Sequence, residues 1–463
     1  LSCAECELIV GVAGKIANNK TLAAEATAAA STLCASKLNG TLATVCEGAA
    51  KVLLEDVLPW VWKQTDTLAW PQDSALCSVI VKSCPQPCCT ADTVPEQRHL
   101  ALTHNASHML VSWVTLNDTS STVLYGTSAS ALNAAAHGGT HTYSFGAWVG
   151  HIHQATMVGL APNTEYFYKV GDGTTWSDVT SFRTLPADIT LLRIAQIGDT
   201  GYGNASDATL AALTARTDAG DIDVLMHVGD VGYADGYAPH DDAWGRKIEP
   251  VASRVPYMTA PGNHELWANF TAYKARFGAA MPTDASSDGM YYSLDFGSLL
   301  HWSMLDTESA IDTPDVSTTQ ASWLAADLEA AASSSWRITA GHRPLYCSFG
   351  SKTQCGLFSA ILQAQVEDIL HAHGVELVIQ CHMHNMELTK PLYHGVETPG
   401  APTYIVNGAG GNREGDTNVT PAPWSAWHTP DNGYGYITVN ASALVYDFVA
   451  TNSTVLQRLT LTK

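Results

Sequence analysis

The hydrophobic pattern divides the chain into three successive parts. Up to about residue 90, apolar residues recur at helical spacing in Ala-rich stretches without strand-like alternation. This spacing predicts helices at 6–17, 22–38, 42–62 and 74–82. A Pro-rich linker follows, and short alternating runs separated by turn residues then fill 95–186, at the spacing of a β-sandwich. From residue 189 onward strands and helices alternate, which predicts an α/β domain.

In the third part, the predicted core strands lead into polar residues. The strands at 191–197, 222–228, 336–340 and 375–380 lead into Asp199, Asp230, His342 and His382. Sheets of α/β proteins build their sites just beyond the carboxyl ends of their strands. We therefore expect these side chains to meet in one site.

The residues at and just after these strand ends form an ordered set of oxygen and nitrogen donors. The ligand candidates are Asp199, Asp230, Tyr233, Asn263, His342, His382 and His384. Such donors suit iron, zinc or manganese, and there are too many for one tetrahedral zinc. A carboxylate shared between two ions keeps them about 3.5–4 Å apart. The set therefore predicts a two-metal centre.

The local motifs around these residues resemble those of a known enzyme family. In chain order they read Asp199-Thr200-Gly201, Gly229-Asp230-Val231-Gly232-Tyr233, Gly262-Asn263-His264-Glu265, Gly341-His342 and Cys381-His382-Met383-His384. This order resembles that of the metallophosphoesterases, and the Tyr is typical of their purple acid phosphatase branch. The resemblance covers roughly 93–463. It implies a fibronectin III-like sandwich at 93–186 and an α/β (αββα) metallophosphoesterase domain at 187–463.

The same resemblance implies a role for each candidate residue. Asp199, Asp230, Tyr233 and His384 would hold Fe(III), and Asp230, Asn263, His342 and His382 would hold a divalent Zn, Fe or Mn ion. The Tyr233 phenolate is a hard donor that would stabilise Fe(III). A trivalent ion lowers the pKa of bound water, so metal-bound hydroxide would persist at low pH and attack a phosphate monoester. His264 is expected to contact phosphate and to protonate the leaving oxygen, and Glu265 to orient His264 or cap a helix.

The cysteines predict a disulfide-rich module at 1–90. Six of the 11 Cys, at positions 3, 6, 34, 46, 77 and 84, resemble the framework of saposin B-type domains. This resemblance implies the nested pairs Cys3–Cys84, Cys6–Cys77 and Cys34–Cys46. Spacing alone leaves the pairing open, and an unrelated helical disulfide module is the alternative.

A local bridge between Cys347 and Cys355 would leave three other cysteines without assigned partners: Cys88, Cys89 and Cys381. Cys381 stands where the family usually has Gly. We expect it to be a buried free thiol. The alternatives are an additional metal ligand or a bridge to Cys88 or Cys89.

Charge and composition exclude several classes of partner. The formal net charge of −21 and the absence of a basic run argue against nucleic acid and against electrostatic attachment to anionic membranes. No apolar stretch is long enough to span a bilayer.

Cysteines and glycosylation sequons together indicate a secreted or lysosomal protein. The opening Leu1-Ser2-Cys3, without an initiating Met, leads us to expect that a signal peptide has been removed. Nine Asn-X-Ser/Thr sequons occur, at Asn19, Asn39, Asn105, Asn117, Asn204, Asn269, Asn418, Asn440 and Asn452.

The choice of substrate stays open at this point. Plant relatives place additional His residues some way after the position of His342, but the loop at 348–356 has none. Phosphate would then meet Arg343, Tyr346 or no equivalent residue. His151 with His153 and His371 with His373 are interpreted as ordinary polar or surface residues.

Two other functions remain as alternatives to a secreted phosphate monoesterase. Acid sphingomyelinases also join a saposin-like domain to a metallophosphoesterase domain and cleave a lipid phosphodiester, but their first motif ends in His and they lack the Tyr. Gly201 and Tyr233 therefore favour the monoesterase. The third interpretation is a lipid-binding protein with a vestigial phosphatase domain. The retention of all predicted metal ligands argues against it. Lipid contact through residues 1–90 is a further expectation.

Overall fold

The computed structural model describes residues 85–89, 92–312, 314–348, 353–412 and 420–463, together with Cys6, Ala13, Ala24 and 26–31. Every described residue before position 85 is in α-helix. Cys6 is buried and disulfide-bonded. The remaining helices predicted before residue 85 and the saposin-type pairing lie outside the described residues.

Contacts within the chain separate two compact units. One comprises residues 1–87 with the segments 144–149 and 235–238. Its described strands are β1 (Gln86–Pro87) and β7 (Trp148–Val149), which pair in parallel. The other unit comprises 88–143, 150–234 and 239–463.

The larger unit begins with a β-sandwich. Its strands are β2 (Glu96–Leu102), β3 (Met109–Thr115), β4 (Thr122–Gly126), β5 (Ala134–His137), β6 (Gly139–His141), β8 (His151–Met157), β9 (Glu165–Gly171) and β10 (Thr180–Arg183). They form one sheet in the order β10-β9-β4-β5 and a second in the order β2-β3-β8-β6. Alternate residues such as Val111, Trp113, Tyr168 and Val170 fill the core between the sheets. The predicted sandwich is confirmed.

His153 differs from the expectation of a polar strand face. It is fully buried, stacks on Trp113 with ring centroids 5.2 Å apart, and bonds the hydroxyls of Thr115 and Ser121. Burial lowers the pKa of His153 to about 4. It is therefore a neutral core histidine.

The rest of the larger unit contains two further sheets. The first contains β11 (Leu191–Ile197), β12 (Val224–Val228), β13 (Tyr257–Ala260), β22 (Gly433–Asn440), β23 (Ala443–Ala450) and β24 (Val455–Thr462). The second contains β14 (Tyr292–Phe296), β15 (Leu300–Leu305), β16 (Trp336–Gly341), β17 (Leu377–Gln380), β18 (Met386–Tyr393), β19 (Val396–Glu397), β20 (Thr403–Asn407) and β21 (Ser425–Thr429). Their orders are β13-β12-β11-β22-β23-β24 and β14-β15-β16-β17-β20-β18-β19, with β21 on β18. The central strands β11–β13 and β15–β17 with β20 are parallel.

Helices accompany both sheets. The α-helices are α1 (Asp207–Asp218), α2 (Ala238–Ala252), α3 (Trp267–Arg276), α4 (Thr307–Asp312), α5 (Pro314–Ala330), α6 (Ser359–Leu362) and α7 (Asp368–Ala372). Wider π turns occupy Thr353–Phe358 and Gln363–Glu367 around α6. Short 3-10 turns occur at Asn204–Ser206, Asn263–Glu265, Gly278–Ala280 and Ala331–Ser333.

The packing produces four layers. Ile194 and Met226 of the first sheet pack against Ile338 and Ile379 of the second in one buried cluster. Separate apolar clusters join helices α1–α3 to the outer face of the first sheet and α5 and α7 to that of the second. The predicted αββα arrangement is present, and it brings the carboxyl ends of both sets of parallel strands to the same edge.

Candidate metal centre

Two left-handed turns place the first two aspartates. Asp199 and Asp230 follow the parallel strands β11 and β12 and have φ angles of +55° and +50°. Non-glycine residues seldom adopt this conformation, and it is concentrated at functional sites. Each carboxylate is almost fully buried. The turns therefore hold two charged groups where the strands end.

Asp199, Tyr233 and His384 form one hydrogen-bonded group, called here the tyrosine half-site. The Tyr233 hydroxyl lies 3.0 Å from Asp199 Oδ1 and 2.8 Å from His384 Nε2, and His384 Nε2 lies 3.2 Å from the same Asp199 oxygen. Burial, reinforced by the negative charges of Asp199 and Asp230, raises the pKa of Tyr233 well above its usual value. A cation here would reverse that effect, because it stabilises the phenolate.

Asp230, Asn263, His342 and His382 form the second group, the amide half-site. His342 Nε2 lies 3.1 Å from Asp230 Oδ2 and 3.3 Å from Asn263 Oδ1. One potential ligand atom from each of Asp230, His342 and His382 lies within 4.8 Å of the other two. The His342 Nδ1 atom lies 3.1 Å from the Val228 carbonyl oxygen, which fixes the ring and turns Nε2 toward the carboxylate.

Electrostatics separate the two histidines of the amide half-site. Burial lowers the pKa of His342, but the charges of Asp230 and Asp199 outweigh it and raise the pKa to about 10. Burial and the neighbouring His342 and Arg343 lower the pKa of His382 well below its usual value. Neutral His382 therefore has a lone pair free for a ligand bond.

The two half-sites are joined through the backbone. The His382 N–H donates to Asp199 Oδ2 over 2.8 Å, so the histidine assigned to one group is fixed by the carboxylate of the other. The Asp199 N–H donates to the Gly229 carbonyl over 3.3 Å, which links the two aspartate turns. All seven predicted ligand candidates are thus brought together.

The surroundings of the Asp230 carboxylate fit a metal ion. Its Oδ2 atom is buried and, among the described residues, receives no hydrogen bond of acceptable geometry, although His342 Nε2 lies close by. A buried carboxylate oxygen without a donor is costly unless a cation neutralises it. The donor set of carboxylate, amide, phenol and imidazole suits iron, zinc or manganese.

Glycines supply the space for these ligands. A Cβ atom on Gly262 would lie 2.2 Å from Asp230 Oδ1, and one on Gly408 would lie 2.5 Å from Asp199 Oδ2. Gly229, with φ +81°, would place a Cβ 2.4 Å from His342 Nδ1. No side chain fits at these positions without displacing a ligand.

The two residues after Asn263 have distinct surroundings. The His264 N–H donates to Asp230 Oδ1 over 2.9 Å, and its ring lies 4.1 Å from that of Tyr233. Its side chain is 16% exposed, whereas that of Asp230 is 1% exposed, so it is within reach of a substrate. Glu265 accepts the N–H groups of Gly262 and Val231 over 2.8 and 2.9 Å. Burial and the Asp230 charge raise the pKa of Glu265 to about 8.

Cys381 is a buried free thiol, as expected. Its Sγ donates to the Asn407 carbonyl over 3.2 Å and lies 3.4 Å from Gln196 Nε2. Burial and the charges of Asp199 and Asp230 raise its pKa well above the usual value. A Cβ on Gly198 would lie 2.3 Å from this sulfur, so that glycine accommodates the cysteine.

The other described cysteines are paired. Cys347 bonds to Cys355, and the adjacent Cys88 and Cys89 bond to each other. The spacing of the cysteines did not predict this bridge between neighbouring residues.

The structure distinguishes the candidates for phosphate contact. The Tyr346 hydroxyl donates to Glu367 Oε1 over 2.5 Å and accepts the Gly395 N–H, in an aromatic cluster away from the ligands. In contrast, Arg343 Nη1 lies 3.2 Å from His382 Nε2. His371 stacks on Tyr393 and His373 lies 3.5 Å from Glu329, so neither belongs to the site.

Three contributors were missed by the sequence motifs. Gln354 Oε1 lies 2.9 Å from His382 Nε2 and 2.7 Å from Arg343 Nη1, and Glu308 Oε2 lies 2.5 Å from Arg343 Nε. The Asn412 N–H donates to the Asp199 carbonyl, and its side chain bonds Tyr233. The predicted Cys347–Cys355 bridge was the one signal that this loop is held near the site.

Three family models match successive parts of the chain. They are the purple acid phosphatase N-terminal domain over residues 95–184, the calcineurin-like phosphoesterase over 192–386 and the iron/zinc purple acid phosphatase-like protein C over 401–458.

Similar proteins agree with these matches. Acid phosphatase type 7 of Danio rerio is 33% identical over 384 residues, covering 74% of this chain and 84% of the relative. Purple acid phosphatase 15 of Arabidopsis thaliana is 30% identical over 379 residues, covering 69% of each. A purple acid phosphatase structure from yellow lupin (Lupinus luteus) seeds has the same fold, with a TM-score of 0.71 at 24% identity, covering 80% of this chain and 74% of the other.

Proposed function

Since the chain belongs to the purple acid phosphatase family and is an acid phosphatase acting on phosphoric ester bonds, we propose that it hydrolyses phosphate monoesters with a pair of metal ions. The observation that carries this proposal is the buried Oδ2 of Asp230, which has no well-aligned hydrogen bond among the described residues and lies 3.1 Å from His342 Nε2. We assign Fe(III) to the tyrosine half-site, and a divalent Zn, Fe or Mn ion to the amide half-site with Asp230 bridging.

The protein residues divide the work of the reaction. When bound, the ions supply Lewis acidity and an activated water for in-line attack on phosphorus. Tyr233 and Asp199 provide the hard anionic donors that favour the higher charge. Val228 and Glu265 fix the orientation of His342 and of the turn before Asn263. His264 holds a proton on its ring for transfer to the leaving oxygen.

Metal analysis with a visible spectrum tests the cofactor assignment. We expect iron in the purified protein and a ferric–tyrosinate absorption band that disappears in Tyr233→Phe. A colourless protein containing zinc alone would contradict the Tyr233–Fe(III) assignment.

A substrate comparison tests the reaction class. We expect a higher kcat/KM for an aryl phosphate monoester than for a choline phosphodiester. A tenfold preference for the diester, about 1.4 kcal/mol in transition-state stabilisation, would instead support a sphingomyelinase-like activity.

Leaving-group dependence tests the role of His264. In His264→Ala, hydrolysis of an alkyl phosphate should fall at least tenfold more than that of an aryl phosphate, because a poor leaving group needs the proton more. His373→Ala is the matched control, with a histidine side chain 22% exposed outside the site. Equal losses on both substrates would exclude His264 as the acid.

A secretory route with N-glycosylation is part of the proposal. Among the described residues, no helix is both long and apolar enough to cross a membrane. Asn105, Asn117, Asn204, Asn269 and Asn452 are exposed and Asn440 is partly exposed. Asn19, Asn39 and Asn418 lie outside the described residues. Glycosidase treatment should lower the apparent mass, and site occupancy can be read by peptide mass spectrometry.

We further propose that residues 1–90 form a saposin B-type module that contacts lipid. Its predicted disulfide framework supports this idea, and liposome co-sedimentation with and without residues 1–90 tests it. Equal sedimentation of the two proteins would leave the segment without a lipid-binding role.

A further inference from the structure

Arg343 lies at the edge of the amide half-site. It follows His342 directly, and its Nη1 atom is 3.2 Å from Nε2 of His382. We propose that Arg343 binds the non-bridging oxygens of the substrate phosphate and thereby makes monoesters the preferred substrates. This inference rests on the two-metal phosphatase function proposed above.

The guanidinium is held rigidly from several sides. Its Nε lies 2.5 Å from Oε2 of Glu308, whose side chain is only 2% exposed. Its Cζ stands 5.1 Å from the centroid of the Phe358 ring. The Arg343 backbone N–H also donates to Thr307 Oγ1 over 2.8 Å. A cation fixed in this way loses little conformational entropy when it binds a ligand.

Gln354 completes the arrangement from the neighbouring loop. Its side-chain oxygen accepts from Arg343 Nη1 over 2.7 Å and lies 2.9 Å from His382 Nε2. Gln354 directly precedes Cys355, which is bonded to Cys347. The disulfide therefore ties this loop to the strand end that carries Arg343, and Gln354 acts as a positioning residue.

Donor capacity remains on Arg343 for a substrate. The guanidinium has five N–H donors in a planar fork that matches two oxygens of a phosphate. Glu308 and Gln354 accept from Nε and Nη1, and Nη2 has no hydrogen-bond partner within the described part of the chain. The Arg343 side chain is 12% exposed, so it is reachable from solvent.

The chemistry of the two ester classes explains the expected selectivity. A phosphate monoester carries three non-bridging oxygens and up to two negative charges. A diester carries two non-bridging oxygens and one negative charge. A fixed cation beside the phosphate therefore stabilises the monoester more strongly. Tyr346, the other candidate for this contact, is neutral and is already bonded to Glu367 and Gly395.

The test compares one monoester with one diester of the same leaving group, para-nitrophenyl phosphate and bis-para-nitrophenyl phosphate. In Arg343→Met we expect kcat/KM to fall about 100-fold for the monoester and less than about tenfold for the diester, the size expected for a lost charge-assisted hydrogen bond. Arg343→Lys should fall between the wild type and Arg343→Met, because it keeps the charge and loses the fork. Glu308→Gln should lower the monoester preference through a misplaced guanidinium.

A binding measurement provides a second readout. Calorimetric titration with inorganic phosphate should show a Kd weakened at least tenfold in Arg343→Met at equal metal content. Arg98→Met is the matched control, because Arg98 also pairs through Nε with a carboxylate, Glu249 Oε1 at 2.6 Å, with its side chain 13% exposed. This control should leave both the ester ratio and phosphate binding unchanged.

The outcomes separate this inference from the proposed function. An active wild type whose monoester-to-diester ratio and phosphate Kd stay within twofold in Arg343→Met and Arg343→Lys would overturn the role of Arg343 alone. A metal-loaded wild type that hydrolyses neither ester would overturn the proposed function. If Arg343→Met fails to fold, the monoester-to-diester ratio of kcat/KM in Arg343→Lys and Glu308→Gln tests the role of Arg343 instead.

Discussion

Two clusters of histidines and aspartates in the α/β part of the protein differ in how many of their polar atoms have hydrogen-bond partners. The cluster around His301, on β15, is closed: Nδ1 lies 2.8 Å from Asp295 Oδ1 and Nε2 lies 2.9 Å from Asp327 Oδ2. Ser303 and Ser293 donate to the two oxygens of Asp327. In the candidate metal centre, by contrast, Asp230 Oδ2 has no well-aligned hydrogen bond within the described part of the chain, although His342 Nε2 lies 3.1 Å away. The same residue types thus form a structural hydrogen-bond network in one place and a candidate ligand site in the other.

A functional cluster and a structural cluster can be told apart by how many of their buried polar atoms have partners. A closed His–Asp network gains its stability from contacts within the protein, since every buried polar atom has a partner. An open network leaves buried charge that the protein groups compensate only in part, and a bound cation would complete its neutralisation. Removing a residue from the first should therefore affect folding, and removing one from the second should affect chemistry.

Loss of the Asp230 carboxylate should impair the enzyme most. Asp230→Asn should lower kcat by about 10⁴-fold, about 5.4 kcal/mol, because in the proposed centre both metal positions would lose a negative ligand. The measurement is steady-state hydrolysis of an aryl phosphate together with metal content. Asp295→Asn, in the closed cluster, is the control and should keep nearly full kcat. Similar losses in both variants would remove the distinction between the clusters.

Metal removal should have the next largest effect. Dialysis against a chelator should destabilise the protein by about 4 kcal/mol when the ions had been present at about 1,000 times their Kd. Calorimetric unfolding before and after chelation measures this change. Re-addition of metal should restore the transition. An unchanged unfolding temperature would indicate that the open cluster needs no cation for stability.

The contribution of the closed cluster to the free energy of unfolding should depend on pH. Burial lowers the pKa of His301, but Asp295 and Asp327 outweigh it and raise the pKa to about 9. Its folded pKa is above the unfolded value of about 6.5, so its contribution is complete below pH 6.5 and is lost as pH rises through 9.

Urea unfolding of His301→Gln checks this sign. We expect a loss of roughly 2 kcal/mol at pH 6 and little loss at pH 10, an estimate reduced because the Asp295 side chain is 68% exposed and screened by water. His394→Gln, whose side chain is 59% exposed, should show no such difference. An equal loss at both pH values would show that His301 acts by packing rather than by charge.

The smallest effect concerns a residue beside the open cluster. Glu265→Gln keeps the shape of the side chain but weakens its bonds to the Gly262 and Val231 N–H groups, so Asn263 should shift slightly. We expect kcat to fall about tenfold with iron content unchanged, as for partners that orient metal ligands. A loss of metal comparable to that in Asp230→Asn would place Glu265 among the ligands instead.

Much of the open cluster was predictable from the sequence. Apolar runs predict buried strands. The residues that follow the carboxyl ends of parallel strands lie at the same edge of the sheet. Asp199, Asp230, His342 and His382 satisfy that rule, and Tyr233 was identified by the motif that contains Asp230. The sandwich followed in the same way from alternation and turns.

The residues that escaped prediction share a physical cause. Glu308 and Gln354 belong to helical segments with no periodic or motif signal, and only the packing of those segments brings them to Arg343. The His301 cluster unites two strands and a helix through side chains that each look ordinary along the chain. Pairing between adjacent Cys88 and Cys89 depends on local backbone shape, which spacing does not encode.

The buried thiol of Cys381 can report local opening of the structure around the candidate metal centre. It is the free cysteine of the described part of the chain, is 0% exposed and lies beside Gly198 at the end of β11. A thiol-specific reagent can modify it only after the strand ends around both half-sites separate, because thiolate and access are both required. The labelling rate therefore gives the free energy of opening at the site itself, without any added probe.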